Sequence, residues 1–398
     1  MSYNKKLSLQ LTLSAFMLFI IPLIGFILTL GFIRKQKKIP FFYISAFSFI
    51  VFLYIPPLGD LYRHHLEYIN TPNIFINTKL DFFLYYNLFI FKKLGIPFYF
   101  IPPIYVSLSL YLYLKSFDLF YKIRGTKNLL LCIIIILLSV NYISIASGLR
   151  YGLAAAIVIY AYSHLIIKNN KLFSIILIII STQIHFSTYL FLAPILLSSI
   201  NLSKRLFFSL CILSLIFSNT AIPILNIITE KLNHGSSYIS GVWSSSENNN
   251  LAGQARFFLN KLPFYIYFFI FFFIIKNNSN YKNNNILYWT ILLCLVLSFS
   301  LSLFLRYSVV PSFIMLFLIL SSQKITKNIF LCILLFSLLD FSIDTLYGYR
   351  RQIELGAMWE SLYTPPLIKI YSINDDYKSM LSEVDSDGFW IYNKVNSN

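Results

Sequence analysis

The chain has 398 residues, 58% of them hydrophobic and 12% charged, with a mean hydropathy of +0.71. A soluble domain carries about 25% charged residues, so lipid is the solvent for most of this sequence. The net charge of +17 would suggest nucleic acid on a soluble protein, but here the basic residues crowd short segments beside apolar runs, the positive-inside pattern of a membrane protein.

In chain order, apolar runs long enough to span a bilayer fall at about 9–33, 40–57, 96–114, 128–146 and 149–167. After a special segment at 172–200 they resume at about 206–228, 257–275, 285–303, 306–322 and 328–346. About 20 apolar residues cross a hydrocarbon core. No alternating ten-residue strands occur, so helices are the only reading. The predicted fold is all-α: a polytopic transmembrane bundle of about 10 spans plus a broken or re-entrant helix pair at 172–200. Residues 1–346 form one helical domain with long outer loops at 58–95 and 229–256, and 347–398 form an extracytoplasmic tail. The first run, 9–33, is too long for a cleaved signal peptide and reads as a retained span.

Orientation follows the basic residues. Segments 34–39, 115–127, 168–171, 204–205, 276–282 and 324–327 hold 16 Lys or Arg in 36 residues, against one acid, Asp118. These belong in the cytoplasm, which puts both termini outside. Segment 172–200 has a basic boundary at each end, Lys171 and Lys204-Arg205, yet its 29 residues give only about 43 Å of helix. Two short helices meeting inside the membrane fit, with the polar stretch Ser181-Thr182-Gln183-Ile184-His185-Phe186-Ser187-Thr188 at their junction.

Four constellations carry potential chemistry. Arg150 opens a span among small residues, Ser147-Gly148-Leu149-Arg150-Tyr151-Gly152, and an intramembrane arginine is costly without a partner or cavity. Its guanidinium either clamps a phosphate or snorkels to headgroups. His185 lies at the helix break; an imidazole there either takes a proton from a hydroxyl or serves as a structural hydrogen-bonder. Asp60 and Arg63 follow the second span and are either a binding pair or a surface ion pair worth little. Arg256 and Arg306 also start spans at the outer face, and with Arg150 they suggest a cationic pocket for a lipid phosphate or diphosphate. Asp340 and Asp344 either offset part of that charge or solvate a helix end. His64-His65 lacks the spacing of helical metal ligands, and Cys132, Cys211, Cys294 and Cys332 form no CxxC. No cofactor or metal site is expected. No nucleotide-binding, GxSxG or HExxH motif occurs.

Arg150-Tyr151-Gly152-Leu153-Ala154 resembles the Arg-Gln-Gly-Leu-Ala signature of the EpsG-like, Wzy-type polysaccharide polymerases. His185-Phe186-Ser187-Thr188 resembles that family's His-Lys-Ser-Ala element, and Gly59-Asp60-Leu61-Tyr62-Arg63 its first outer-loop motif. Tyr151 and Phe186 depart from the pattern. The resemblance implies an inner-membrane enzyme that polymerises undecaprenyl-diphosphate-linked repeat units at the outer leaflet, for O-antigen, capsule or exopolysaccharide, alongside a chain-length regulator protein. The chemistry of that reaction then expects Arg150 to hold the donor diphosphate and His185 to act as base on the acceptor hydroxyl, with the outer-loop Asp60 and Arg63 and the span-start Arg256 and Arg306 binding substrate. Nucleic acid has no part. The alternatives are a lipid-linked glycan flippase or other transporter, or a single-addition polyprenyl-phosphate-dependent glycosyltransferase or ligase.

Overall fold

The computed structural model describes residues 3–33, 38–71, 82–124, 128–218, 227, 261–274, 284–322 and 325–391. Arg256 and the outer loop 229–256 lie outside them. The described residues are helical, with one isolated bridge, Val384 to Trp390.

The first apolar run is not one helix. It divides into α1 (Tyr3–Ile20) and α2 (Pro22–Phe32) at Ile21, whose backbone is extended. Pro22 removes a helical N–H and disfavours helix at the residue before it. Gly25 then packs against the backbone of Leu18, where any Cβ would collide. Residues seven apart in one continuous helix are separated by about 10.5 Å along its axis. The contact therefore requires the chain to turn back. The start of α1 and the end of α2 head toward the same face, whereas a single crossing at 9–33 would separate them. The predicted outward N-terminus assumed a single crossing at 9–33.

After α3 (Lys38–Phe52) the chain runs through α4 (Asp60–Ile69) and α5 (Phe83–Lys93) into the long α6 (Ile101–Arg124). Next come α7 (Leu129–Ser139) and α8 (Tyr142–Gly148), bent by 46° at Val140-Asn141. Asn141 caps α8 by accepting from Ser144 N, and its amide donates to the Asp344 carboxylate at 2.7 Å. Asp344 is thus engaged in holding a helix junction.

At Leu149 the chain reverses again into α9 (Arg150–Lys168). Leu149 is fully buried with φ of +45°, uncommon for a residue with a side chain. Gly152 lets the backbone of Ile145 approach closely. α9 is the central helix. Its Ala154, Ala155 and Ala156 are buried, and it packs against α6, α8 and α10 (Lys171–Ile184). The small side chains permit those approaches.

The predicted broken pair is present as α10, a 3-10 turn at Phe186–Phe191 and α11 (Leu192–Leu197). His185 is the extended residue between them. There follow α12 (Lys204–Ile216), α13 (Lys261–Phe273), α14 (Asn284–Val296), α15 (Leu301–Leu320) and α16 (Lys327–Ile343).

Three helical segments are long and apolar enough to cross a membrane: Arg150–Lys168, Leu301–Leu320 and Lys327–Gly348; the bent pair α7–α8 makes a fourth. The count of about 10 is not reached among the described residues: the other apolar helical stretches have 10–17 residues, with breaks at Ile21 and His185 dividing two of the runs. The chain is an integral membrane protein built of continuous and broken apolar helices.

The C-terminal segment is ordered. α17 (Arg350–Leu355), a 3-10 turn at Met358–Leu362 and α18 (Pro366–Ser382) fold over the ends of α1, α2 and α3. Gly356 sits against the Tyr54 carbonyl, and Gly59 N donates to Gly388 O at 2.9 Å. Lys369 lies over the Tyr54 ring and pairs with Glu360 at 3.0 Å and Asp376 at 3.7 Å. Nδ1 of His65 in α4 lies 3.3 Å from the Tyr377 hydroxyl, and the ring packs edge-on against Phe98. Burial lowers the His65 pKa from its ordinary value. The tail and α4 thus share one face of the molecule.

Candidate functional site

α9 and α15 each end beside basic residues, at Lys168 and Lys171 and at Lys324 and Lys327. Arg150 and Arg306 therefore lie at their opposite ends, toward the tail face. α10 runs the other way, from Lys171 to Ile184, and delivers His185 to the same level.

Breaking a helix inside the membrane frees backbone groups that must find partners. Here they do. His185 N donates to Ser181 O at 2.9 Å, and the Thr188 hydroxyl donates to His185 O at 2.9 Å. Ser181 and Thr188 hydroxyls meet at 2.9 Å. The Tyr307 hydroxyl of α15 donates to Ser187 O at 2.8 Å, and the Tyr162 hydroxyl of α9 donates to Phe191 O at 2.7 Å. The break is fastened from two neighbouring helices.

Tyr151 links the candidate residues. Its ring stands edge-on to His185 with centroids 5.3 Å apart, and its hydroxyl donates to the Arg306 carbonyl. The Arg306 guanidinium lies over the Tyr151 ring, 6.0 Å from its centroid. On the other side Phe186 stacks on His185, 14° from parallel and 5.4 Å away. The charges of Arg306 and Arg150 both bear on the His185 ring. Arg150 also bears on the Tyr105 hydroxyl of α6, which accepts from Asn87 of α5 at 3.0 Å.

The imidazole is anchored at one nitrogen. Nδ1 of His185 accepts from Ser187 N at 3.3 Å and lies 2.8 Å from Ser187 Oγ. Among the described residues nothing pairs with Nε2, and Nε2 is not one of the sealed, partnerless buried atoms.

Pro311 explains a further contact. It lacks the N–H that would bond Tyr307 O in a regular helix, and the Cys294 thiol of α14 donates to that carbonyl at 3.0 Å. Cys294 keeps α15 intact beside Arg306.

Three of the sequence-predicted residues, Arg150, His185 and Arg306, are thus brought together. Asp60 and Arg63 are not part of this cluster. They pair at 3.3 Å on the surface of α4, each more than half exposed, though α4 packs against α8, which leads into Arg150. Lys261, missed in the sequence, is buried with its ammonium over the Phe304 ring and donating to Ser298 O. Tyr151, Ser187 and Tyr307 were also missed; each is a motif residue or the direct neighbour of a candidate. Asn87 and Tyr105 carried no local signal.

The profile of the EpsG family matches residues 59–354, about three quarters of the chain. The chain belongs to the EpsG family. The matched region of this EpsG-family chain starts at Gly59, contains Arg150, His185 and Arg306, and ends within α17. Membership suggests a membrane polysaccharide polymerase, and such an enzyme takes a lipid-linked oligosaccharide as substrate. No curated protein and no solved structure matches the chain.

Proposed function

We propose that this EpsG-family protein is a glycosyltransferase that joins undecaprenyl-diphosphate-linked oligosaccharide repeat units at the outer leaflet of the bacterial inner membrane. The observation that carries the reading is Tyr151, the chain neighbour of Arg150, standing edge-on to His185 and lying under the Arg306 guanidinium. The tail face is outside and the basic segments are cytoplasmic. The whole chain makes about ten crossings, with α1 and α2 inserting as a pair and the N-terminus inside.

The donor carries its own activation in the lipid diphosphate. Transfer forms a bond between the acceptor hydroxyl oxygen and the anomeric carbon. The bond from that carbon to the diphosphate oxygen breaks, and its electron pair leaves with the diphosphate. Arg150 and Arg306 hold that group and offset its growing charge, the kind of preorganised electrostatic stabilisation that dominates many enzymes. His185 approaches the reacting atoms with Nε2. Asp60 and Arg63 meet the outer sugars.

The test is glycan length in a deletion strain complemented with variants, each quantified in membranes by blot. Arg150→Lys keeps the charge but loses the two-pronged fork, so it impairs extension nearly as much as Arg150→Ala. A deletion strain with a normal glycan ladder would refute the polymerase reading; complete absence of glycan would favour a flippase.

A further inference from the structure

We infer that His185 meets the substrate as a hydrogen-bond donor through Nε2, with Ser187 as the positioning residue that fixes this polarity. The inference rests on the polymerase reading above and assigns His185 to the leaving diphosphate instead of the acceptor hydroxyl.

A backbone N–H can only donate. Ser187 N points at Nδ1 of His185 at 3.3 Å, so Nδ1 must present a lone pair there. A neutral imidazole carries one proton, which is then on Nε2. The Ser187 hydroxyl, 2.8 Å from the same nitrogen, is free to donate as well. The arrangement is local and rigid. Ser187 O is held by the Tyr307 hydroxyl, and the ring is confined between Tyr151 and Phe186. Flipping the tautomer would place N–H against N–H and leave the buried Ser187 amide unpaired, at a cost on the order of a lost buried hydrogen bond.

A base at Nε2 would need the opposite tautomer, with its proton on Nδ1 facing an acceptor. This site sets a donor that cannot accept, Ser187 N, against Nδ1, beside a Ser187 hydroxyl that can do either. An Nε2–H aimed at an acceptor hydroxyl oxygen would weaken the nucleophile. Aimed at a diphosphate oxygen, it adds a third donor to the two arginines whose charges already bear on the ring. A neutral donor also avoids adding a third positive charge to those of Arg150 and Arg306. The acceptor proton then passes to a non-bridging oxygen of the departing diphosphate as the glycosidic bond forms. The balance closes without any further reactant.

Two measurements decide it. Glutamine can place an N–H donor where Nε2 stands but cannot act as a base of imidazole strength. In the complemented deletion strain, His185→Gln should retain chain extension within about tenfold of wild type, the scale of one altered hydrogen bond. His185→Ala at equal membrane level should lose extension. Equal loss in both would overturn the inference, because removing a base costs about 10²–10⁴-fold whichever residue replaces it. Independently, nitrogen NMR of histidine-labelled protein in lipid, with His185→Gln identifying the signal, should show Nε2 protonated and Nδ1 bare. The reverse assignment overturns the inference. That spectrum is read without any glycan, so it is separable from failure of the polymerase reading, which would show as an unaltered ladder on deletion.

Discussion

Tyr151 and Phe186 stand where the EpsG-like motifs carry glutamine and lysine, and both lie against the same imidazole. Two polar positions have become two rings, one edge-on and one stacked. The departures are therefore coupled: the ring of His185 is steered by packing where the motif pattern supplies polar groups. Tyr151→Phe keeps the ring contact and removes only the bond to the Arg306 carbonyl. That bond is worth about 0.5–1.5 kcal/mol, so Tyr151→Phe should fold with a small loss in melting temperature and extend chains at a reduced rate. Tyr151→Ala removes the wall beside His185 and should cost most of the activity. Equal ladders from Phe and Ala variants at matched expression would show that the ring contributes nothing. Arg150, His185 and Arg306 were legible because charge and imidazole are expensive in an apolar run. Ser187 and Tyr151 were not, because serine and tyrosine are common there and their importance lies in which neighbour they touch.

Among the elements, the breaks carry the architecture. The broken pair at 172–200 could be read from its length and its two basic flanks, since 29 residues cannot make two full crossings. The reversals at Ile21 and Leu149 could not. Both lie within apolar runs of ordinary composition, and the glycines that permit them, Gly25 and Gly152, act through contacts seven residues away. Gly152→Leu should force α8 off α9 and displace Arg150, giving a protein that inserts but does not extend glycan; protein level by blot and ladder length separate the two effects. α15 offers a stability test. Cys294→Ser keeps a donor for the Tyr307 carbonyl left free by Pro311, whereas Cys294→Val leaves that carbonyl unpaired. The valine variant should lose about 1–3 kcal/mol, measured as a lower melting temperature in detergent, with the serine variant close to wild type.

At the scale of the whole molecule, the tail is a docked lid of helices on one face. Its composition is acidic and aromatic. Its seat was hidden, because the seat is formed by Tyr54, Gly59 and His65, some 300 residues earlier. Docking should respond to acid. The His65 pKa is depressed in the docked state, mainly by burial, so the undocked state binds more protons once the pH falls below the ordinary value of about 6.5. Docking is then full at neutral pH and weakens on acidification, when His65 takes up a proton whose charge its buried seat disfavours. Limited proteolysis of the tail in membranes should quicken between pH 7 and pH 5, and His65→Phe should flatten that dependence. Equal cleavage at both pH values in wild type would count against the His65 contact.

The turn at Ile21-Pro22 has a consequence for how the polypeptide is built. Two helices that lie back to back can leave the insertion machinery together, and neither has to carry the leading residues across the bilayer. A fluorescent protein that matures only in a reducing compartment, fused ahead of Met1, should therefore glow, while the same fusion after Asn398 should stay dark. Replacing Gly25 with leucine would pry the pair apart, and the first fusion should dim as the leading residues are sent to the wrong side.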